Sequence, residues 1–287
     1  MISAEQVQKL REKTGSGMME CKRALEASQG DMEKAIQILR EKGAASAARR
    51  AARNAAEGLI TAYVDPAGKT AVMLELNCET DFVARTDEFV ALVQKLARNA
   101  AEGDPSATTP PSATEEIAAL SGKLGEKIAL GRKTRYDRQG AGVFASYIHP
   151  SGGVGKVGVL VDVGTQSEKA ASTEALKTLA KDLSMQIAAT APRWIRREDV
   201  PAETLKQEEA IAREQAKREN KPEKIWDKIA QGKIQQFCQQ FCLLDQPFVR
   251  DSSGKTSVGS VVKQVESTVG EPVQPRRFMR YKVGEDE

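Results

Sequence analysis

Few side chains in this sequence have the types and spacing that covalent chemistry needs. His149, the single histidine, lies in a stretch that reads as the second hairpin turn. A lone imidazole there is expected to be solvated or locally hydrogen-bonded rather than to act as a general base. Cys238 and Cys242 stand four apart on one predicted helix face, beside Phe237 and Phe241. A zinc site wants four ligands, two more are not at hand, and buried seam thiols are expected instead. Gly152-Gly153-Val154-Gly155-Lys156 resembles a phosphate loop but lacks its full spacing and its following helix, so a wide hairpin turn is expected. Three clusters interleave or concentrate base: Arg49-Arg50 with Arg53, Arg193-Trp194-Ile195-Arg196-Arg197, and Arg276-Arg277 with Arg280-Tyr281. Such groups can hold phosphates and stack on bases, yet acidic residues sit close to each, and nucleic acid is not the expected partner. The inventory points to docking rather than bond-making: not an enzyme, and no cofactor or metal expected.

The sharpest feature is the run Asn77-Cys78-Glu79-Thr80-Asp81-Phe82-Val83-Ala84-Arg85. It joins a predicted strand, Ala71 to Leu76, to a predicted helix, Asp87 to Ala101, whose face carries Phe89, Leu92, Val93, Leu96 and Ala100. A short turn at such a junction favours Gly or Ser. Here it holds a Phe between an Asp and an Arg, and since connections run over the surface, Phe82 is expected to protrude. The competing reading tucks the ring under its own helix, because Phe is among the residues most often buried.

The scaffold around that run occurs twice. Gly58 to Gly68 is echoed by Gly142 to Gly152, with Tyr63 matched to Tyr147 and Pro66 to Pro150. After a hairpin three residues longer, Val72-Met73-Leu74-Glu75-Leu76 matches Val159-Leu160-Val161-Asp162-Val163. In the helices that follow, Phe89, Leu92 and Leu96 fall on Leu176, Leu179 and Leu183. At the junction, Asp81-Phe82 corresponds to Glu168-Lys169, so the scaffold itself does not require the ring.

The chain has 287 residues, enough for about two domains and a sizeable core. Charged residues make up 29% and aromatics 5%, which favours a helix-rich protein over an all-β one; together with the antiparallel strand pairs, the fold class expected is α+β with helical appendages. The net charge of +3 is too balanced to imply nucleic acid. No apolar run is long enough to span a membrane, and the first residues lack the basic and apolar regions of a signal peptide. Scattered cysteines at 21, 78, 238 and 242 suit a reducing cytoplasm.

Residues 1–54 read as three short helices and an Ala-rich basic linker helix, with Val7 and Leu10, then Met18, Cys21 and Leu25, then Met32, Ala35, Ile36 and Leu39 as apolar faces. Residues 55–140 form the first αβ unit, and 141–198 with 245–287 the second, each with an antiparallel strand pair. Asp104 to Ser112 reads as a polar loop, followed by a helix with Ile117, Leu120, Leu124 and Ile128 as its periodic positions. Residues 199–244 read as an inserted, coiled-coil-like helical hairpin that projects from the core. Its second helix carries Ile225, Ile229, Phe237, Phe241 and Leu244, and a last strand runs from Arg277 to Val283.

Several motifs together resemble the bacterial elongation factor Ts family. They are Met18-Met19-Glu20-Cys21-Lys22 with Ala24-Leu25 after Gly15 and Gly17, Gly30-Asp31 with Glu33, Ala35 and Ile36, Cys78 through Arg85, Gln246-Pro247-Phe248-Val249, and Arg280 through Gly284. The resemblance spans nearly the whole chain, in order. It implies a guanine nucleotide exchange factor for elongation factor Tu, acting in translation elongation and protein biosynthesis in the cytoplasm through protein–protein interaction. It also implies a ubiquitin-associated-like N-terminal domain. Asp81 and Phe82 would enter the partner GTPase near its magnesium and phosphates, within the run Thr80, Asp81, Phe82, Val83, Ala84 and Arg85. Met18, Met19, Lys22 and His149 would touch the same partner. No direct nucleotide binding is expected, and a higher-order assembly with the partner stays open. Longer members carry a further helical module after the final strand, which would be absent or replaced here. Two other readings are a ribosome- or RNA-associated protein using the basic clusters, and a ubiquitin-associated-type peptide adaptor.

Overall fold

The computed structural model describes residues 2–104 and 111–285. Its architecture is α+β: helices at the N-terminus, then two three-stranded antiparallel sheets, each backed by helices. Helices α1 (Ala4–Thr14), α2 (Met18–Ala27) and α3 (Met32–Ala51) come first. Ser3 caps α1 in a reciprocal box with Gln6, and Asp31 accepts from Glu33 N and Lys34 N at the start of α3. Val7, Leu10, Cys21, Ala24, Leu25 and Ala35 close a small core. Much of the Ala-rich stretch read as a linker helix is helical and continuous with the third helix: α3 runs on through Gly43 to Ala51 without a break.

The first αβ unit holds β1 (Glu57–Val64), β2 (Thr70–Cys78), a single-turn helix α4 (Asp81–Ala84), α5 (Asp87–Glu102), α6 (Pro111–Leu124) and β3 (Ile128–Asp137). The second holds β4 (Gly142–Ser151), β5 (Val154–Gly164), the single-turn α7 (Glu168–Ala171), α8 (Glu174–Thr190), α11 (Val258–Val269) and β6 (Gln274–Lys282). Between α8 and α11 the chain inserts α9 (Ala202–Arg218) and α10 (Trp226–Phe241), which pack against each other. Sheet orders are β1-β2-β3 and β4-β5-β6, so β2 and β5 are the central strands.

Both central strands are buried on two faces, which explains their unbroken apolar runs. Val72, Leu74, Leu76 and Cys78 point to α5 and α6, while Ala71 and Met73 point to the other sheet. Val159, Val161 and Val163 meet α8 and α11, while Leu160 joins Ile60, Tyr136, Phe144 and Tyr281 between the sheets. Two glycines set how closely the sheets approach. A Cβ at Gly155 would lie 2.6 Å from the Ile60 carbonyl oxygen, and one at Gly158 would lie 2.9 Å from the Met73 sulfur.

Four expectations need correcting. The first unit has a third strand, β3, in which Arg132, Lys133 and Arg135 interrupt the apolar alternation that marks a strand. Ile128 opens that strand rather than continuing the preceding helix, which ends at Leu124. His149 lies in β4, paired with Val157, rather than in the turn; a bulge between His149 and Pro150 lets proline sit on this edge strand. In the α9–α10 pair the buried positions are Ala212, Ala216, Ala230, Ile234 and Cys238, with Ile225, Ile229, Phe237 and Phe241 only partly covered. Most of the polar loop read at Asp104 to Ser112 lies outside the described residues.

Candidate functional site

Strand β2 delivers the chain to Glu79 and Thr80, and α4 turns it into α5. Thr80 caps α4, its Oγ1 accepting from Val83 N at 3.4 Å. Thr86 caps α5, accepting from Phe89 N at 3.3 Å and donating to the Val83 carbonyl at 2.9 Å. Two caps within seven residues leave α4 only one turn long, and that turn fixes which side chains face inward. Val83 and Ala84 are buried in the first core. Phe82 points the other way and is 77% exposed, the most exposed large apolar side chain among the described residues. It does not tuck under α5. Asp81 and Arg85, one helical turn apart, bracket it with an ion pair of 2.5 Å.

The turn is tied down from outside. Glu126, in the α6–β3 connection, accepts from Glu79 N at 3.1 Å, Thr80 N at 3.0 Å and Thr80 Oγ1 at 2.6 Å. Glu79 in turn accepts from Lys127 N at 2.6 Å and from Arg53 at 3.2 Å. The Lys127 backbone hydrogen bond, followed by the Arg53 contact, holds its carboxyl below the usual carboxylate range. Below the turn, the Cys78 thiol donates to the Thr80 carbonyl, and burial, with the Glu126 charge adding, pushes it up to about 12.

The second unit comes up to the same place. Gly152, at φ +61 in the β4–β5 turn, faces the Arg85 guanidinium; a Cβ there would lie 2.9 Å from Nη2. Val154 inserts into the first unit's core. His149, three residues before that tip, is exposed and hydrogen-bonds through Nδ1 to the Tyr147 hydroxyl at 3.1 Å. The structure therefore brings Asp81, Phe82, Arg85 and the tip of the His149 hairpin together. Met18 (47% exposed) and Met19 (58%) stand at the start of α2, with Lys22 one turn on in an ion pair with Glu26. The α1–α2 turn before them lies against α5 and α6, where Thr14 and Gly15 share a cleft with Glu88, Leu92, Glu116 and Lys123.

The same fixture recurs in the second unit with other side chains. Ser167 caps α7 through Ala170 N at 3.1 Å, and Glu271 accepts from Ser167 N at 3.0 Å, Ser167 Oγ at 2.7 Å and Thr165 Oγ1 at 3.3 Å. Where Phe82 stands in α4, α7 carries Lys169. Glu126 and Glu271 escaped the reading of the sequence, although a signal was there: Leu124-Gly125-Glu126-Lys127-Ile128 repeats as Val269-Gly270-Glu271-Pro272-Val273. Of the basic clusters, Arg53 is bound to Glu79, Arg276 and Arg277 to Asp162, and Arg280 to Glu285. No group of side chains among the described residues is arranged to hold a metal ion, and no described helix is long and apolar enough to cross a membrane.

Comparison with known proteins agrees with the motifs. The sequence pattern of a family described as Elongation factor TS matches residues 79–285. An Elongation factor Ts of Nostoc sp. is 43% identical over 99% of this chain and 93% of its own length. One from Clostridium perfringens is 40% identical over 99% and 94%, and one from Chlorobium phaeobacteroides is 40% identical over 99% of both.

Proposed function

The chain belongs to the elongation factor Ts family, and from that premise we propose that it is a guanine nucleotide exchange factor for elongation factor Tu in translation elongation. It binds the GTPase rather than the nucleotide, works in the cytoplasm, and makes or breaks no covalent bond. The observation that carries the reading is Phe82: a phenyl ring standing in solvent on a turn whose neighbours Val83 and Ala84 are buried and whose backbone is held by Glu126.

In this mechanism Asp81 and Phe82 enter the GTPase domain of the partner, and the ring wedges between its helices near the magnesium. Displacing that ion removes a principal charge partner of the nucleotide phosphates. Thr80, Val83 and Ala84 set the turn, Arg85 orients Asp81, and Met18, Met19, Lys22 and His149 widen the docking surface. The magnitudes require that division of labour. A thousandfold weakening of nucleotide needs about 4 kcal/mol of coupling, whereas burying one phenyl ring gives about 1.5–3 kcal/mol. Coupling is reciprocal, so bound nucleotide weakens the exchange factor equally, and exchange runs in either direction.

The same reading divides the chain into a ubiquitin-associated-like N-terminal domain (1–54), a first core subdomain (55–140), a second (141–198 with 245–287) and a projecting helical hairpin (199–244). Release of fluorescent GDP from purified elongation factor Tu tests the function directly. Adding the chain should speed release strongly; release at the unassisted rate would rule the function out.

A further inference from the structure

A second cleft, of about 640 Å³, opens between the N-terminal helices and α6. Lys13, Arg23, Arg40, Lys42 and Arg50 line it, and Lys123 faces them from α6. Lys123 is already bound to Glu88, but the other five make no ion pair among the described residues. The one acid in the lining, Glu20, is turned to the Gly17 N–H of its own helix start. This concentration of charge stands out in a chain whose net charge is only +3. Most of the chain's other arginines close on carboxylates, backbone carbonyls or aromatic rings; Arg23 and Arg40 make no such contact among the described residues, and Arg50 acts on a carboxylate only through its charge, at Glu79.

Arg50 borders the same cleft and carries a further cost. Its Nε is buried and has no hydrogen-bond partner among the described residues. A desolvated guanidinium donor without an acceptor is costly, and like charges gathered in one recess repel. An anion with several acceptor oxygens in the cleft relieves the repulsion among the cations that line it. Phosphate oxygens match guanidinium forks well. The cations converge on one recess rather than following a track along the surface, which fits a compact ligand better than a nucleic-acid backbone.

We propose that this cleft binds a small polyphosphate anion, and that the bound anion ties the N-terminal helices to α6. The site is separate from the Phe82 turn and does not depend on exchange activity, so its test uses no GTPase. The full chain is titrated with tripolyphosphate by calorimetry at about 0.1 M salt, where surface charges more than about 10 Å apart are largely screened. The expected result is saturable one-site binding and a melting temperature that rises with anion concentration. Arg50→Gln and the exposed Arg40→Gln should each weaken binding about tenfold or more, and Arg197→Gln, on the other side of the sequence's basic inventory, should not. Should Arg50→Gln fail to fold, Arg40→Gln decides. Absence of saturable binding, or an equal loss in Arg197→Gln, overturns the proposal. So does an RNA oligomer that competes more tightly than tripolyphosphate, because the cleft would then belong to a nucleic-acid surface.

Discussion

The Glu126 carboxylate grips Thr80 twice, its Oε2 accepting the backbone N–H at 3.0 Å and its Oε1 the hydroxyl at 2.6 Å. Those contacts, with the bond from Glu79 N, hold the single turn that presents Phe82. Glu126→Ala strands three donors, at a cost of about 1–3 kcal/mol. We expect a lower denaturation midpoint and slower GDP release from elongation factor Tu. Glu271→Ala, at the matching place in the second unit, should lose similar stability with exchange nearly intact. Equal loss of exchange in both variants would mean that Glu126 acts through stability alone.

Phe82→Ala separates the ring's two conceivable uses. A side chain this exposed contributes little to folding, so stability should change by no more than about 0.5 kcal/mol. Exchange should fall about tenfold to a hundredfold, from the 1.5–3 kcal/mol that burial in the partner supplies. Thermal melting and GDP release on the same preparation read both quantities, and His149→Ala should show a milder loss of exchange. A Phe82→Ala protein that melts early would return the ring to the fold.

Acid should loosen both tethers. Glu79 is held below the usual carboxylate range first by the Lys127 backbone N–H, and Glu271 first by the Ser167 hydroxyl. Near pH 4 the unfolded chain takes up these protons before the folded one does. The stability they contribute is therefore complete above that range and is lost as pH falls through the lower folded values. Denaturation midpoints followed downward from pH 7 should drop, and Glu79→Gln with Glu271→Gln should make that acid dependence shallower. Asp182 works in the opposite sense, since burial, only partly offset by Arg250, raises its carboxyl. An unchanged slope in the double variant would assign acid sensitivity elsewhere.

Much of this arrangement was legible in the sequence because it rests on local periodicity. Phe89, Leu92 and Leu96 recur as Leu176, Leu179 and Leu183, and all six are buried. The doubled hairpins and the last strand follow from similar patterns. Strand β3 is hard to read because basic residues serve both of its faces: Arg135 donates to the Ala100 and Gly103 carbonyls at the end of α5, and Arg132 with Tyr136 replaces a plain apolar stripe at the contact between sheets. His149 was misplaced because proline suggests a turn, whereas a bulge on an edge strand satisfies it equally well. The Glu126 tether connects residues 46 positions apart through a lone carboxylate in a loop, which no local pattern encodes; only the internal repeat marks it.

That repeat makes one more prediction, about what joins the two sheets. Arg132 pairs with buried Glu75 at 2.7 Å, donates to the Lys282 carbonyl of the other sheet at 2.7 Å, and lies 4.6 Å over the Tyr281 ring. Arg277 mirrors it with Asp162 at 2.9 Å, the Asp137 carbonyl at 2.6 Å and the Tyr136 ring at 4.2 Å. Each sheet thus sends one arginine across to the other, anchored on a carboxylate of its own central strand. The Asp162 side chain is only 1% exposed and that of Glu75 5%, so removing Arg132 strands a buried carboxylate, and removing Arg277 leaves Asp162 with the more distant Arg276 at 3.8 Å. Breaking such a pair costs about 3–5 kcal/mol. Arg277→Met and Arg132→Met should each lower the denaturation midpoint far more than Arg85→Met, whose ion pair with Asp81 is largely solvated and worth little to stability. Exchange should sort the other way, with Arg85→Met impaired at full stability. If Arg277→Met melts with the wild type, the interlock between the sheets is apolar and the mirrored arginines are only ornaments on it.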